Sequence, residues 1–294
     1  MEIADEERAT VNDANIRLVV NADDFGMTPE ISRGIIRSHH QGCVTSTSVL
    51  GNCAEAELRA AKTLLDQAPA LGVGVHLALV GGRPTSPVAD VPSLVDGAGA
   101  LPARPRDFLK LWLKGSVDRG QVEIEINNQI DRIIAAGLKP DHLNTHHHLG
   151  FLPPIGQALE AAARRHGIPG VRSAVEQPTM AWVTEPRRGL EAGILAGLSW
   201  LTRRRMGTLR HGPQSWGFVE SGQLDEIRIL EIIGRLGAGD HELICHPSET
   251  DIPARDAEGR PYHGAEEVTA LCSERVRGAL HRRGITLCRW KDLS

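Results

Sequence analysis

Aromatic residues are scarce: phenylalanine, tryptophan and tyrosine make up 3% of the 294 residues, with a single tyrosine. A base-stacking surface or an aromatic-lined sugar groove would have few side chains to draw on. A dominant charge is missing as well. With 33 Lys and Arg against 37 Asp and Glu the formal charge is −4, and no long basic run appears, so no nucleic-acid partner is expected. The five cysteines, Cys43, Cys53, Cys245, Cys272 and Cys288, form no CxxC pair. An odd, scattered set fits buried reduced thiols better than a disulfide framework. The longest mostly apolar run, Gly189 to Leu201, is interrupted by Glu191, and a bilayer span needs roughly 20 apolar residues. The polar, acidic start MEIADEERATVNDAN has no apolar signal-peptide core, so a cytoplasmic protein is expected. The signatures GxSxG, GxxxxGK(S/T) and HExxH are absent too, which removes the usual serine-hydrolase, P-loop and zincin readings.

What is present is an alternation of short apolar runs and helical periods. Residues 1–15 read as a loose arm ahead of one domain covering 16–294. Ile16 to Val20 reads as a buried strand stopped by Asn21-Ala22-Asp23-Asp24-Phe25-Gly26, with Thr28 and Pro29 opening a helix. Further strands are expected at Thr47–Leu50, within Leu71–Val80, at His142–Asn144, Glu242–Cys245 and Ile285–Leu287. Helices are expected at Ala54–Gln67, Val122–Ala136, Ile155–His166, Ile227–Leu236 and Ala265–Arg283. Such alternation implies parallel βα units, as a barrel or an open sheet, and both build their sites at strand C-terminal ends. Segments 81–120 and 177–223, rich in Gly, Pro and Arg, read as inserted lids.

The chemistry-bearing residues fall at those ends. Asp23-Asp24 suits a division of labour, one carboxylate binding a cation and the other acting as general base, or serves only as turn and cap residues. His76 lies in the apolar strand Gly72-Val73-Gly74-Val75-His76-Leu77, as a metal ligand or a core histidine. His142, His146, His147 and His148 crowd within seven residues, and in extended geometry His146 and His148 share a face. Imidazole with carboxylate suits zinc and related first-row metals, whereas magnesium usually prefers more oxygen and water. His246, before Pro247, is either a proton donor to a leaving amine or a turn histidine.

The string Asn21-Ala22-Asp23-Asp24-Phe25-Gly26, then Gly-Val-His76-Leu, then His146-His147-His148 followed by Pro153, resembles the YdjC-like carbohydrate deacetylase family, over about residues 16–290. Pro140 to Asn144, Gly217-Phe218 to Ser221-Gly222 and Tyr262-His263 look most like the branch associated with hopanoid biosynthesis. The resemblance implies an α/β fold, a distorted (β/α) TIM-like barrel. It implies Asp24, His76 and His146 as ligands of a divalent ion, zinc or magnesium, with Asp23 as general base and His246 as acid. The implied reaction removes the acetyl group from an N-acetylglucosamine-type substrate, either a soluble chito-oligosaccharide or a sugar linked to a hopanoid-like lipid. Two departures stand out: relatives often have histidine where Gly150 stands and some have aspartate where Asn144 stands. Rival readings are another metal-dependent hydrolase, such as a phosphoesterase, and a non-catalytic metal- or sugar-binding protein.

Two apolar stretches remain. Phe108, Leu109, Leu111, Trp112 and Leu113 lie beside Lys110 and Lys114, while Ile194, Leu195, Leu198 and Trp200 precede Arg203-Arg204-Arg205. Each reads as an amphipathic helix packed on the barrel, a homodimer interface, or an approach for a lipid tail at a membrane surface.

Overall fold

The computed structural model describes residues 15–172, 176, 178–203, 210–255 and 261–293. Strands and helices alternate through the first half: β1 (Ile16–Phe25), α1 (Pro29–Gln41), β2 (Ser46–Leu50), α2 (Glu55–Asp66), β3 (Gly72–Leu77), α3 (Pro105–Leu113), α4 (Arg119–Ala135), β4 (His142–Thr145), α5 (Pro153–His166) and β5 (Gly170–Val171). There follow α6 (Ala181–Thr184), α7 (Pro186–Arg203), β6 (Arg210–His211), β7 (Gln214–Trp216), α8 (Glu226–Arg235), β8 (Gly239–Cys245), β9 (Ile252–Arg255), β10 (Pro261–Tyr262), α9 (Gly264–Leu271), α10 (Glu274–Arg282) and β11 (Thr286–Leu287).

The main sheet runs β6-β5-β4-β3-β2-β1-β8-β7, with β11 also on β1, and all its pairings are parallel. Strands buried on both faces carry near-continuous apolar runs, as β1 and β3 do. The two outer strands come from almost consecutive residues. Only Gly212 and Pro213 separate β6 from β7, so three residue steps bring opposite ends of the sheet within about 11 Å. A parallel bridge between Glu176 and Ser215 links the same two sides. The sheet must therefore curl. This is the expected α/β architecture, but residues 210–216 belong to the main sheet, so 177–223 is not wholly an insertion. The short strands were invisible because two- and three-residue pieces carry no period.

Other boundaries moved for local reasons. β1 continues through the supposed turn to Phe25 because Asn21 and Asp23 find buried partners, beginning with the bond from Asn21 Nδ2 to Asp23 Oδ1 at 2.9 Å. The helix expected over Ala265–Arg283 is two helices, broken where Ser273 caps α10 by accepting the Arg275 N–H at 3.1 Å. Thr28 caps α1 as expected, accepting from Ile31 N at 3.3 Å. No helix of the described residues is long and apolar enough to cross a membrane.

His142 shows how tightly the sheet packs. Its ring is fully buried, stacks on Trp290 with centroids 4.8 Å apart, and bonds Asp141 Oδ1 through Nδ1 at 2.7 Å. A Cβ on Gly74 of β3 would come within 2.3 Å of that ring, so the position tolerates only glycine. Gly74→Ala should destabilise the fold by about 1–3 kcal/mol through overpacking. Gly193→Ala, in open space on α7, should be neutral or stabilising by up to about 1 kcal/mol. Urea unfolding of the two variants checks this, and a neutral Gly74→Ala would contradict the packing described.

Candidate metal centre and active-site cleft

A bulge brings the two aspartates together. In the β1–β2 pairing Ala22 sits opposite Thr47 and Phe25 opposite Val49, so three steps of one strand face two of the other. The extra residue is Asp24, at φ 68°, a conformation that aspartate tolerates better than most residues. Adjacent side chains of a regular strand point to opposite faces. Here Asp23 and Asp24 both line one cleft of about 440 Å³.

At the cleft floor three ligand-type atoms form a nearly equilateral triangle. Asp24 Oδ1 lies 3.2 Å from His76 Nε2 and 3.1 Å from His146 Nδ1, and the two nitrogens are 3.1 Å apart. Ligands bound at about 2.1 Å to one ion would stand about 3.0 Å apart on an octahedral face and about 3.4 Å apart in a tetrahedron. The observed triangle falls between these.

The chemistry of the donors fits a cation. Asn144 Nδ2 donates to Asp23 Oδ1 and to Ser48 Oγ, both at 3.0 Å, which turns its Oδ1 towards His76 Nδ1 at 2.7 Å. His76 must then carry its proton on Nδ1 and present the Nε2 lone pair to the triangle. Asp24 Oδ1 is buried and no donor is aimed at it. Among the described residues this is the one group of three or more such side chains able to share an ion.

Asp23 sits beside the triangle in a different setting. Its Oδ1 accepts from Asn21 Nδ2, Ser48 Oγ, Asn144 Nδ2 and Arg172 Nη2 at 2.7–3.0 Å. Among the described residues Oδ2 accepts only Arg172 Nη1, at 2.6 Å, so this oxygen keeps accepting capacity. Burial pushes the carboxyl up, yet Arg172 and His76 more than reverse that and hold it far below the carboxylate range. Arg172 also donates to Glu242 Oε1 through Nε at 3.0 Å and Nη2 at 2.8 Å. The guanidinium is thus clamped between two buried acids. Ala22 pairs with Cys245 in the β1–β8 register, so His246 follows at the level of Asp23. Its Nδ1 meets Ser221 Oγ at 3.3 Å; burial lowers its pKa, against the pull of Asp24 and Asp23.

The histidine cluster divides. His146, His147 and His148 lie in a short 3-10 turn, His146–Phe151, not in an extended strand, so the expectation that His146 and His148 share a strand face is wrong. His147 and His148 both have left-handed backbone, at φ 54° and 56°. His148 is buried against Phe151 and Phe218, with centroids 5.5 and 4.8 Å away. His142 lies outside the triangle. Gly150 packs with its N–H on Thr145 Oγ1 at 2.8 Å, and a side chain there would meet Leu159 at 2.5 Å. Sequence reasoning missed Arg172, which follows a two-residue strand. A cation directly after Gly170-Val171 was the one signal available.

The cleft walls come largely from the segments expected as lids. Pro105, Arg106 and Leu109 of α3, Arg188, Glu191, Ile194 and Leu198 of α7, and Phe218, Ser221 and Tyr262 all line it. Phe108 and Trp112 stack on each other at 6.2 Å and pack into the core, so they are not cleft residues. The side chains of Leu195, Trp200 and Arg203, and all of Arg204 and Arg205, lie outside the described residues, as do residues 1–14 of the expected arm. The loop carrying Phe218 and Ser221 is held by buried acids. Glu176 Oε1 accepts the N–H groups of Phe218 at 2.7 Å and Val219 at 3.4 Å, while Glu267 accepts those of His246 at 2.6 Å and Leu224 at 3.3 Å. Burial and the nearby Glu220 push the Glu176 carboxyl up to about 8.

Comparison with known proteins gives the same outline. The family model described as YdjC-like protein matches residues 17–282. A carbohydrate deacetylase of Geobacillus stearothermophilus is 30% identical over 277 residues, covering 93% of this chain and 96% of the relative. A chitooligosaccharide deacetylase of Yersinia pestis (strain Pestoides F) is 29% identical, covering 94% and 98%. A crystal structure from Enterococcus faecalis V583, of a candidate cellobiose-phosphate cleavage protein, superposes with a TM-score of 0.74 at 27% identity, covering 94% and 98%.

Glu176 yields a pH test. The folded chain holds its proton up to about pH 8, while the unfolded chain releases it near 4.5. The folded state therefore binds more protons in that window, and its stability falls as pH rises from about 4.5 to about 8. Glu176→Gln removes this contribution. Its melting temperature should decline less than that of the wild type between about pH 5 and 9, at constant metal content; identical slopes would contradict the assignment.

Proposed function

The chain belongs to the YdjC-like protein family, and from that premise we propose that it is a metal-dependent carbohydrate N-deacetylase. The observation that carries the reading is the largely buried triangle of Asp24, His76 and His146 beside an ionised carboxylate. The naming of relatives as carbohydrate and chitooligosaccharide deacetylases supports it. Two imidazoles and one carboxylate favour zinc or a related first-row metal over magnesium.

A cation held by Asp24, His76 and His146 supplies Lewis acidity to the acetyl carbonyl and acidifies the attacking water. Asp23 takes the water proton on Oδ2, the oxygen with accepting capacity left. Arg172 keeps Asp23 ionised and oriented. As the amide C–N bond breaks, the proton taken up by Asp23 is returned through His246, which in its protonated form delivers it from Nε2 to the departing amine, leaving acetate and a free amino sugar. Ser221 holds the His246 ring from its other nitrogen.

For the finer substrate, the reading is an N-acetylglucosamine-type sugar linked to a hopanoid-like lipid. Its support is the apolar wall formed by Leu109, Ile194 and Leu198, continued outwards by Leu113 and Leu190, which are 77% and 67% exposed. A tail lying along it would contribute about 25 cal/mol per Å² buried. α3 and α7 act as lids over the cleft in this reading, and the exposed leucines are where a membrane surface would be met.

The test is acetate release with zinc supplied, from N-acetylglucosamine oligomers and from a lipid-linked N-acetylglucosamine. Asp23→Asn should keep the metal and lose at least about 10²-fold in kcat. Leu109→Ser with Ile194→Ser should lower kcat/KM for the lipid-linked sugar alone. Equal efficiency on both substrates, unchanged by the double substitution, would leave a soluble-sugar deacetylase. Phosphate release in place of acetate would point to a phosphoesterase, and metal binding without turnover to a binding protein.

A further inference from the structure

His147 has no task in the proposed reaction, yet its position is expensive to maintain. It follows the ligand His146, and its backbone sits at φ 54° and ψ 26°, with His148 at φ 56° and ψ 25° directly after it. Two successive non-glycine residues in the left-handed region are uncommon, and such strain concentrates where a site requires it. The other members of the cluster are engaged: His146 in the triangle, His148 between two phenylalanine rings. His147 makes no hydrogen bond or ion pair among the described residues. Its ring rests on that of His146, centroids 4.1 Å apart and tilted by 55°, and lines the cleft with Asp23, Asp24 and His246.

We propose that His147 is a substrate contact, its imidazole hydrogen-bonding an uncharged polar group of the bound sugar, a ring hydroxyl or the acetamido group next to the scissile bond. This rests on the reading of the cleft as an amino-sugar site. A neutral imidazole offers one N–H and one lone pair, which a hydroxyl or a secondary amide can match. The left-handed turn is what swings this ring beside His146. With an ordinary right-handed or extended backbone at 147, the side chain would leave from a different direction.

The alternative is that the turn needs left-handed geometry only to orient His146. Glycine at 147 separates the two, because it adopts φ > 0 without steric cost. His147→Gly should keep its melting temperature or raise it, and keep one metal ion per chain. Its affinity for the N-acetylglucosamine trimer, measured by calorimetry, and its kcat/KM for acetate release should each fall about 10-fold. His147→Asn tolerates the same backbone and keeps a donor and an acceptor, so it should recover part of both losses. Wild-type affinity and kcat/KM in His147→Gly would overturn the proposal, and so would loss of the metal in that variant. Should the wild type release no acetate yet bind the trimer in a His147-dependent way, the deacetylase reading falls and this contact stands. A wild type that binds no trimer would remove the contact as well.

Discussion

Three electron-rich atoms, Asp24 Oδ1, His76 Nε2 and His146 Nδ1, stand 3.1–3.2 Å apart in a buried floor. That arrangement suits a positive charge at its centre. An ionised carboxylate taken out of water without a partner is severely destabilising, and two lone pairs pointed at it make matters worse. A shared cation satisfies all three. Much of the surrounding architecture is then the means of holding these atoms still. Asn144 fixes the His76 tautomer, the bulge in β1 redirects Asp24, and the turn after β4 delivers His146.

The second charge system is kept distinct from the first. Asp23 lies next to Asp24 in sequence, yet its carboxylate is neutralised by Arg172 and three neutral donors instead of by the triangle. Arg172 in turn joins β5 to β8 through Glu242, across the curled sheet. Removing either end of this chain of contacts would strand a buried charge, which typically costs about 3–5 kcal/mol. In the proposed reaction the two carboxylates take different duties, Asp24 as a ligand and Asp23 as an ionised group with a free lone pair. The backbone strain at Asp24, His147 and His148 is confined to this floor and is offset by ordinary packing elsewhere, as around Ile126, Ile130 and Ile133 of α4.

Much of this was legible in the sequence. Apolar runs ending in Asp23-Asp24, His76 and His246 marked strand termini, and parallel strands place their C-terminal ends together, so convergence followed from topology. Helix periods located α2, α4, α5 and α8 to within a few residues, and the Thr28 cap marked the start of α1. The rest was hidden for physical reasons. β5, β6 and β7 are too short to show a period, and so Arg172 and the curl of the sheet went unseen. Spacing in an assumed strand paired His146 with His148, whereas left-handed residues turned them apart. The buried anchors Glu176 and Glu267 look like surface acids in one dimension; only the fold shows them accepting backbone N–H groups beside the cleft. Phe108 and Trp112 had the composition of a cleft wall but belong to the core.

The central claim is that one divalent ion is held by Asp24, His76 and His146. Crystals of the zinc-loaded protein, measured on both sides of the zinc absorption edge, test it most directly. One strong anomalous peak is expected about 2.0–2.2 Å from Asp24 Oδ1, His76 Nε2 and His146 Nδ1, with Asp23 not coordinated. A peak on other residues, or none at this triangle in protein saturated with zinc, would contradict it.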